Sequence, residues 1–194
     1  MATCVIVVRV WWVSKHPVIP LSPEGERALN RRNIGWLVAI LVFAADQLAK
    51  WAITGPLALP ERDAFEILPI FRLIWVANHG VSMGFLVANS DAQRWALALA
   101  TGAIAVFVAV WLWRETRTMD RIALGLILGG AVGNILDRVR LGYVTDFLNL
   151  HFGAWSPFYV FNIADAAISI GVALLVLRAF ISRDTPAPSE EVNE

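Results

Sequence analysis

Four long apolar stretches recur along the chain, and three of them carry a cluster of polar residues near one end. They run from about Asn33 to Ile53, Trp95 to Trp113, Arg121 to Val139 and Phe158 to Ile181, and each approaches the roughly 20 residues that a helix needs to cross a bilayer. Asp46, Gln47 and Lys50 fall late in the first stretch, Asn134, Asp137 and Arg138 late in the third, and Asn162 and Asp165 early in the fourth. The connection from Thr54 to Gln93 contains RLIWV (Arg72 to Val76), whose β-branched and aromatic content predicts a short strand. Ahead of the first stretch, CVIVVRVWWV is too short to span and is interrupted by Arg9, and Pro17, Pro20 and Pro23 break a helix. The pattern predicts an irregular N-terminal extension over 1–33, a membrane-embedded domain over 34–182 and a C-terminal tail over 183–194.

Composition fixes the class. Hydrophobic residues make up 58% of the chain and charged residues only 16%, and the mean hydropathy is +0.62. A water-soluble domain carries about a quarter charged residues, so this is an integral membrane protein of the all-α polytopic kind. The formal net charge is +0 with no strongly basic run, which excludes the electrostatic footprint of a nucleic-acid partner. Cys4 is the only cysteine, and His16, His79 and His151 are scattered without ligand spacing. No internal disulfide, metal centre or other cofactor is expected.

Arginines orient the spans. Arg27, Arg31 and Arg32 precede the first, Arg114, Arg117 and Arg121 fill the connection between the second and third, and Arg183 follows the fourth. By the positive-inside rule these segments are cytoplasmic, so the extension and the tail are cytoplasmic too. Every polar cluster then falls at the outer end of its span. Polar groups in lipid are costly and mark function more often than structure, and these three clusters, with the Thr54 to Gln93 connection and its Asn78 and Gly80 on the same side, make four separated stretches whose convergence on one membrane face predicts a site.

Each cluster also has a plain structural reading. Asp46 and Lys50 are one helical turn apart and can pair, Asn134 and Asp137 share a helix face and can fasten it to neighbours, and Gly125, Gly129, Gly130 and Gly133 let helices approach closely. Gly80 to Gly84 match G-x-S-x-G beside His79, but the strand-to-helix setting that makes a serine elbow is missing. That loop is better read as a turn that lets backbone approach a ligand, with Asn78 as donor and acceptor. Asp137 stands next to Arg138, which predicts an ionised, structural carboxylate. Asp146 and Asp165 are flanked by apolar residues. Brought close, two such groups share one proton, so one acts as base and the other as acid on a peptide bond. A transporter or proton relay is the rival, but the chain shows no similar halves and no polar path toward the cytoplasmic side.

At this point the residues resemble a known family. DQLAK (Asp46 to Lys50), NHGVSMG (Asn78 to Gly84), GGAVGNILDR (Gly129 to Arg138), VTDF (Val144 to Phe147) and FNIAD (Phe161 to Asp165) stand in the order found in lipoprotein signal peptidases, the type II signal peptidases of bacteria. The resemblance implies a four-helix membrane protease with a small extracytoplasmic β-sheet and a short helix. It implies a protein of the bacterial inner membrane, among membrane lipids, that removes signal peptides from diacylglyceryl-modified prolipoproteins before the lipid-bearing cysteine; a monomer is expected. Carried over by motif, Asp146 and Asp165 are the catalytic pair, and Asp46, Lys50, Asn78, Gly80, Asn134, Asp137, Arg138 and Asn162 bind substrate or support the pair. Val81, Ser82 and Met83 depart from the N-x-G-A-A-F-G common in the family.

Overall fold

The computed structural model describes residues 23–80, 91–153 and 155–183. The chain divides into two units, Met1–Arg32 and Asn33–Glu194; the first helix below begins in the former, and all the other features lie in the latter. In order the elements are helix α1 (Pro23–Thr54), a 3-10 turn (Leu59–Glu61), strands β1 (Phe65–Leu68) and β2 (Phe71–Asn78), helices α2 (Asp91–Arg114) and α3 (Thr118–Arg140), strand β3 (Val144–Leu150) and helix α4 (Ile163–Arg183). Among the described residues, four helices are long and apolar enough to cross a membrane. Helix α1 begins at Pro23, where a proline in the first turn costs no hydrogen bond, and residues 23–33 are helical where the sequence predicted an irregular extension; residues 1–22 and 184–194 of the expected extension and tail lie outside the described residues.

Side chains such as Ile40, Leu99, Val106, Phe107 and Leu177 are exposed along the spans. In water such a surface would be a liability, and in a bilayer it is the lipid-facing side. Inside, Ala39, Ala105, Val108, Leu112, Leu124, Ile127 and Leu128 form a core between α1, α2 and α3. The small residues set the spacing. A Cβ on Gly129 would collide with the carbonyl of Ala39, and one on Gly130 with the carbonyl of Ala164, so α3 lies against α1 and α4 at once.

Gly133 continues this row, and a Cβ there would lie 2.6 Å from Asp46 Oδ2. The missing side chain is the space that the carboxylate occupies. Gly133→Ala is therefore expected to lose roughly 1 to 3 kcal/mol of stability by overpacking. Gly102→Ala, where an added methyl meets nothing within 4 Å, should melt no lower than the native protein. Thermal melts of the two variants in detergent check this, and an unaltered melting temperature in Gly133→Ala would contradict it.

The three strands form one antiparallel sheet in the order β1-β2-β3. Strand β2 contains the RLIWV segment, while β1 and β3 were not foreseen from the residues. Register places Val76 opposite Asp146 and Asn78 opposite Val144. The sheet is fixed to the helices by a second core of Ile53, Leu59 and Phe147, with Trp75, Leu148 and Ile163 packed against it. The fourth span starts at Ile163 and not at Phe158. Phe161 instead exchanges backbone hydrogen bonds with Leu148 at 2.9 and 2.7 Å, so this stretch is drawn to the sheet edge before the helix begins.

Candidate active site

Asp146 is carried by β3, and its carboxylate is held by two amides. Asn162 Nδ2 donates to Oδ1 at 2.7 Å and Asn78 Nδ2 donates to Oδ2 at 2.9 Å. Asp165 lies in the first turn of α4 because FNIAD builds a helix cap. Asn162 Oδ1 accepts the Asp165 N–H at 2.9 Å, and Asp165 Oδ2 accepts the Asn162 N–H at 3.3 Å, a reciprocal pair that satisfies two free donors of the helix end. Asp165 Oδ1 accepts from Asn134 Nδ2 at 2.8 Å. All four carboxylate oxygens thus receive an N–H, and a shared proton or a water must use the lone pairs left over.

Three asparagines do this work, and each is oriented by a bond at its oxygen. Asn78 Oδ1 accepts the Gly80 N–H at 3.0 Å, Asn162 Oδ1 accepts the Asp165 N–H, and Asn134 Oδ1 accepts from Asn162 Nδ2 at 3.1 Å and Lys50 Nζ at 3.3 Å. With the oxygens anchored, the NH2 ends face the carboxylates.

Behind the asparagines lies an ionic cluster. Lys50 Nζ is 2.8 Å from Asp46 Oδ2 and 2.8 Å from Asp137 Oδ2. Asp46 Oδ1 accepts the Ala164 N–H at 3.0 Å, at the positive end of the α4 dipole, and Asp137 Oδ2 accepts the Thr145 N–H at 3.1 Å, next to Asp146. The sequence paired Asp137 with its neighbour Arg138. The structure corrects this: adjacent residues on a helix point to different faces, and Asp137 turns to Lys50 on α1. Arg138 Nη2 instead donates to the Gly80 carbonyl at 3.2 Å, and its charge interacts with Asp165 and Asp146 as well as with Asp137.

All ten residues singled out from the sequence are therefore joined in one set of hydrogen bonds and ion pairs. Asp46, Lys50, Gly80, Asn134, Asp137, Asp146 and Asn162 are buried, whereas Asn78, Arg138 and Asp165 are half-buried and mark the open side. Sequence reasoning placed Gln47 in the polar cluster of the first span but gave it no role in the site; its Nε2 donates to Asp46 Oδ2 and Asp137 Oδ1 at 3.2 Å each. Its polarity within an apolar helix was the available signal. The ring nitrogens of His151 are buried without a hydrogen-bond partner among the described residues, and Ser82 lies outside those residues, so the G-x-S-x-G reading gains no support. No group of three or more potential metal ligands occurs among the described residues.

Asp146 is 1% exposed. Burial, reinforced by the charge of Asp165, pushes its carboxyl up to about 7 against the hydrogen bonds from Asn78 and Asn162 and the charge of Lys50. A carboxylic acid that keeps its proton near neutrality can serve as a general acid. Toward the other end of α3, the buried charge resumes only at Asp120, which pairs with Arg178, and Arg121. Buried Ala123, Leu124, Ile127 and Leu128 lie between, a gap of roughly 20 Å along the helix that gives no support to a proton path.

Comparison with known proteins agrees with the geometry. A family model described as signal peptidase (SPase) II matches residues 38–181. The chain belongs to the signal peptidase II family. It is 56% identical over 167 residues to the lipoprotein signal peptidase of Rhizorhabdus wittichii, covering 86% of this chain and 96% of that one. The lipoprotein signal peptidase of Sphingopyxis alaskensis is 48% identical, covering 77% of this chain and 86% of its relative. A solved chain described as "Bacterial membrane enzyme structure by the in meso method at 2.3 A resolution" superposes with a TM-score of 0.69 at 26% identity, over 80% of this chain and 93% of that one. In this signal peptidase II the family match covers all four spans and the sheet. The protein is thus a multi-pass membrane protease, with the all-α fold and small sheet that the resemblance implied.

Proposed function

We propose that this protein is a membrane aspartic endopeptidase that removes signal peptides from prolipoproteins, with Asp146 and Asp165 as its catalytic dyad. The observation that carries the reading is the placement of these two carboxylates, on β3 and at the start of α4, under three oriented asparagine amides. The family match supports the substrate class. The pair shares one proton, carried by Asp146 as the acid, while Asp165 serves as the base. Water lies between them, gives a proton to Asp165 and adds to the peptide carbonyl, whose oxygen takes the Asp146 proton. The tetrahedral intermediate then breaks its C–N bond as Asp165 returns a proton to the leaving amine and the Asp146 carboxylate takes one back from a hydroxyl of the intermediate, leaving a carboxyl on the signal peptide, a free amine on the product and the dyad in its starting state.

The finer substrate is the diacylglyceryl-modified precursor, cut before the lipid-bearing cysteine. Support comes from the position of the site at the ends of membrane helices, where acyl chains in the bilayer bring the scissile bond to the dyad. The arginine pattern supports an extracytoplasmic position for that face in the inner membrane, where we propose that the enzyme acts as a monomer among lipids. Cleavage of the lipid-modified precursor by purified protein in detergent is expected to be far faster than cleavage of the unmodified form. Equal rates would sink the lipid requirement, and no cleavage of either would sink the activity.

A further inference from the structure

Lys50 is 5% exposed, and its ammonium has three protons for three acceptors: Asp46 Oδ2, Asp137 Oδ2 and Asn134 Oδ1. Two of these lead on to the dyad. Asn134 donates to Asp165, and Asp137 accepts the N–H of Thr145, the residue before Asp146. One buried cation thus reaches the Asp165 carboxylate through Asn134 alone, and the backbone beside Asp146 through Asp137.

The charges facing the dyad can be named element by element among the described residues. Helix α1 contributes Asp46 and Lys50, α3 contributes Asp137 and Arg138, and strands β2 and β3 and helix α4 add no titratable group with a bond to the dyad beyond Asp146 and Asp165 themselves. His79, at the end of β2, packs its ring on Tyr143. Behind the dyad two carboxylates stand against the Lys50 ammonium, while Arg138 lies on the open side. The Asn134 amide adds a second control, since turned by half a rotation it would present its oxygen to Asp165 and favour a protonated carboxyl there.

We propose that Lys50 is the positioning residue of the dyad: it holds the Asn134 amide with its oxygen away from Asp165 and offsets the carboxylates behind, so that the pair carries one proton and not two. This rests on the dyad reading above. Without Lys50 the pair takes up a second proton at neutral pH and has no base, a loss that a higher pH reverses. The charge of Lys50 also acts on Asp146 in the same sense.

The test is the pH dependence of kcat and KM for native, Lys50→Met, Asp137→Asn and doubly substituted protein on the lipid-modified precursor. Lys50→Met should displace the whole profile upward by about one pH unit, lowering kcat at neutral pH about tenfold with KM unchanged. Asp137→Asn should displace it downward, and the double variant, whose charge is rebalanced, should return toward the native position. A Lys50→Met profile that stays in place while kcat falls at every pH would overturn the proposal and leave Lys50 a structural residue. Should Lys50→Met give no folded protein, Asp137→Asn decides, and a profile that fails to move overturns the proposal equally. Failure of the dyad reading is seen separately, as activity in Asp146→Asn or Asp165→Asn.

Discussion

Asp146→Asn and Asp165→Asn proteins are expected to fold, to bind a substrate-mimicking peptide and to cleave at least about 10³-fold more slowly than the native protein, at every pH. An amide can neither take a proton from water nor return one to the leaving amine. The hydrogen bonds are not conserved by the change at position 146. Both oxygens of Asp146 accept from NH2 groups, of Asn162 and Asn78, so an asparagine turns its own NH2 toward one of those donors and loses a bond worth roughly 1 to 3 kcal/mol. Against this stands the cost of ionising a buried acid. The native Asp146 carboxyl is raised from 3.8 to about 7 by burial and by the charge of Asp165. A raised carboxyl costs nothing while the unfolded chain is also protonated, so the penalty is absent below about pH 4, grows through the window to about 7 and is then complete, at up to about 4 kcal/mol. Asp146→Asn should therefore melt lower than native protein at pH 4.5 and gain on it by pH 8. Melting curves at the two pH values check the sign, and a gap that widens against the variant as pH rises would contradict the placement of Asp146.

Asp137→Asn should fail in a different way. Asp137 is 4% exposed and binds Lys50, Gln47 and the Thr145 N–H. Removing one partner of a buried ion pair costs roughly 3 to 5 kcal/mol, and here it also loosens the strand beside Asp146. The expected result is a lower yield, a lower melting temperature in detergent and reduced but measurable cleavage. The partner to test is Lys50. Arg138→Gln leaves the Asp137 contacts in place, so its melting temperature should fall less than that of Asp137→Asn. A stable, wholly inactive Asp137→Asn would move suspicion to Asp137 as a catalytic group.

Much of this site was legible because polar residues in lipid-spanning sequence are rare and their helical spacing is fixed. The pairing of Asp46 with Lys50 follows from one turn of helix, and the close helix approach follows from Gly129, Gly130 and Gly133. What was not legible depends on contacts between distant segments. Asp137 has a cation beside it in sequence, yet helical geometry turns it toward Lys50 on α1. Strand β3 is buried on both faces and shows none of the alternation that reveals a half-exposed strand, while Phe158 to Phe161 look like the start of an apolar helix until Phe161 pairs with Leu148. Nor could residue types tell which end of each asparagine amide faces the dyad, because that depends on donors from Gly80, Lys50 and the start of α4.

The central claim, a dyad of Asp146 and Asp165 cutting the signal peptide from lipid-modified prolipoprotein, is tested most directly by the mass of the product. Native protein, Asp146→Asn and Asp165→Asn, each purified in detergent, would be incubated with the diacylglyceryl-modified precursor and the products weighed. The account predicts a native product that begins at the lipid-bearing cysteine and intact precursor with either variant. Product from either variant, or a native cut at another bond, would contradict it.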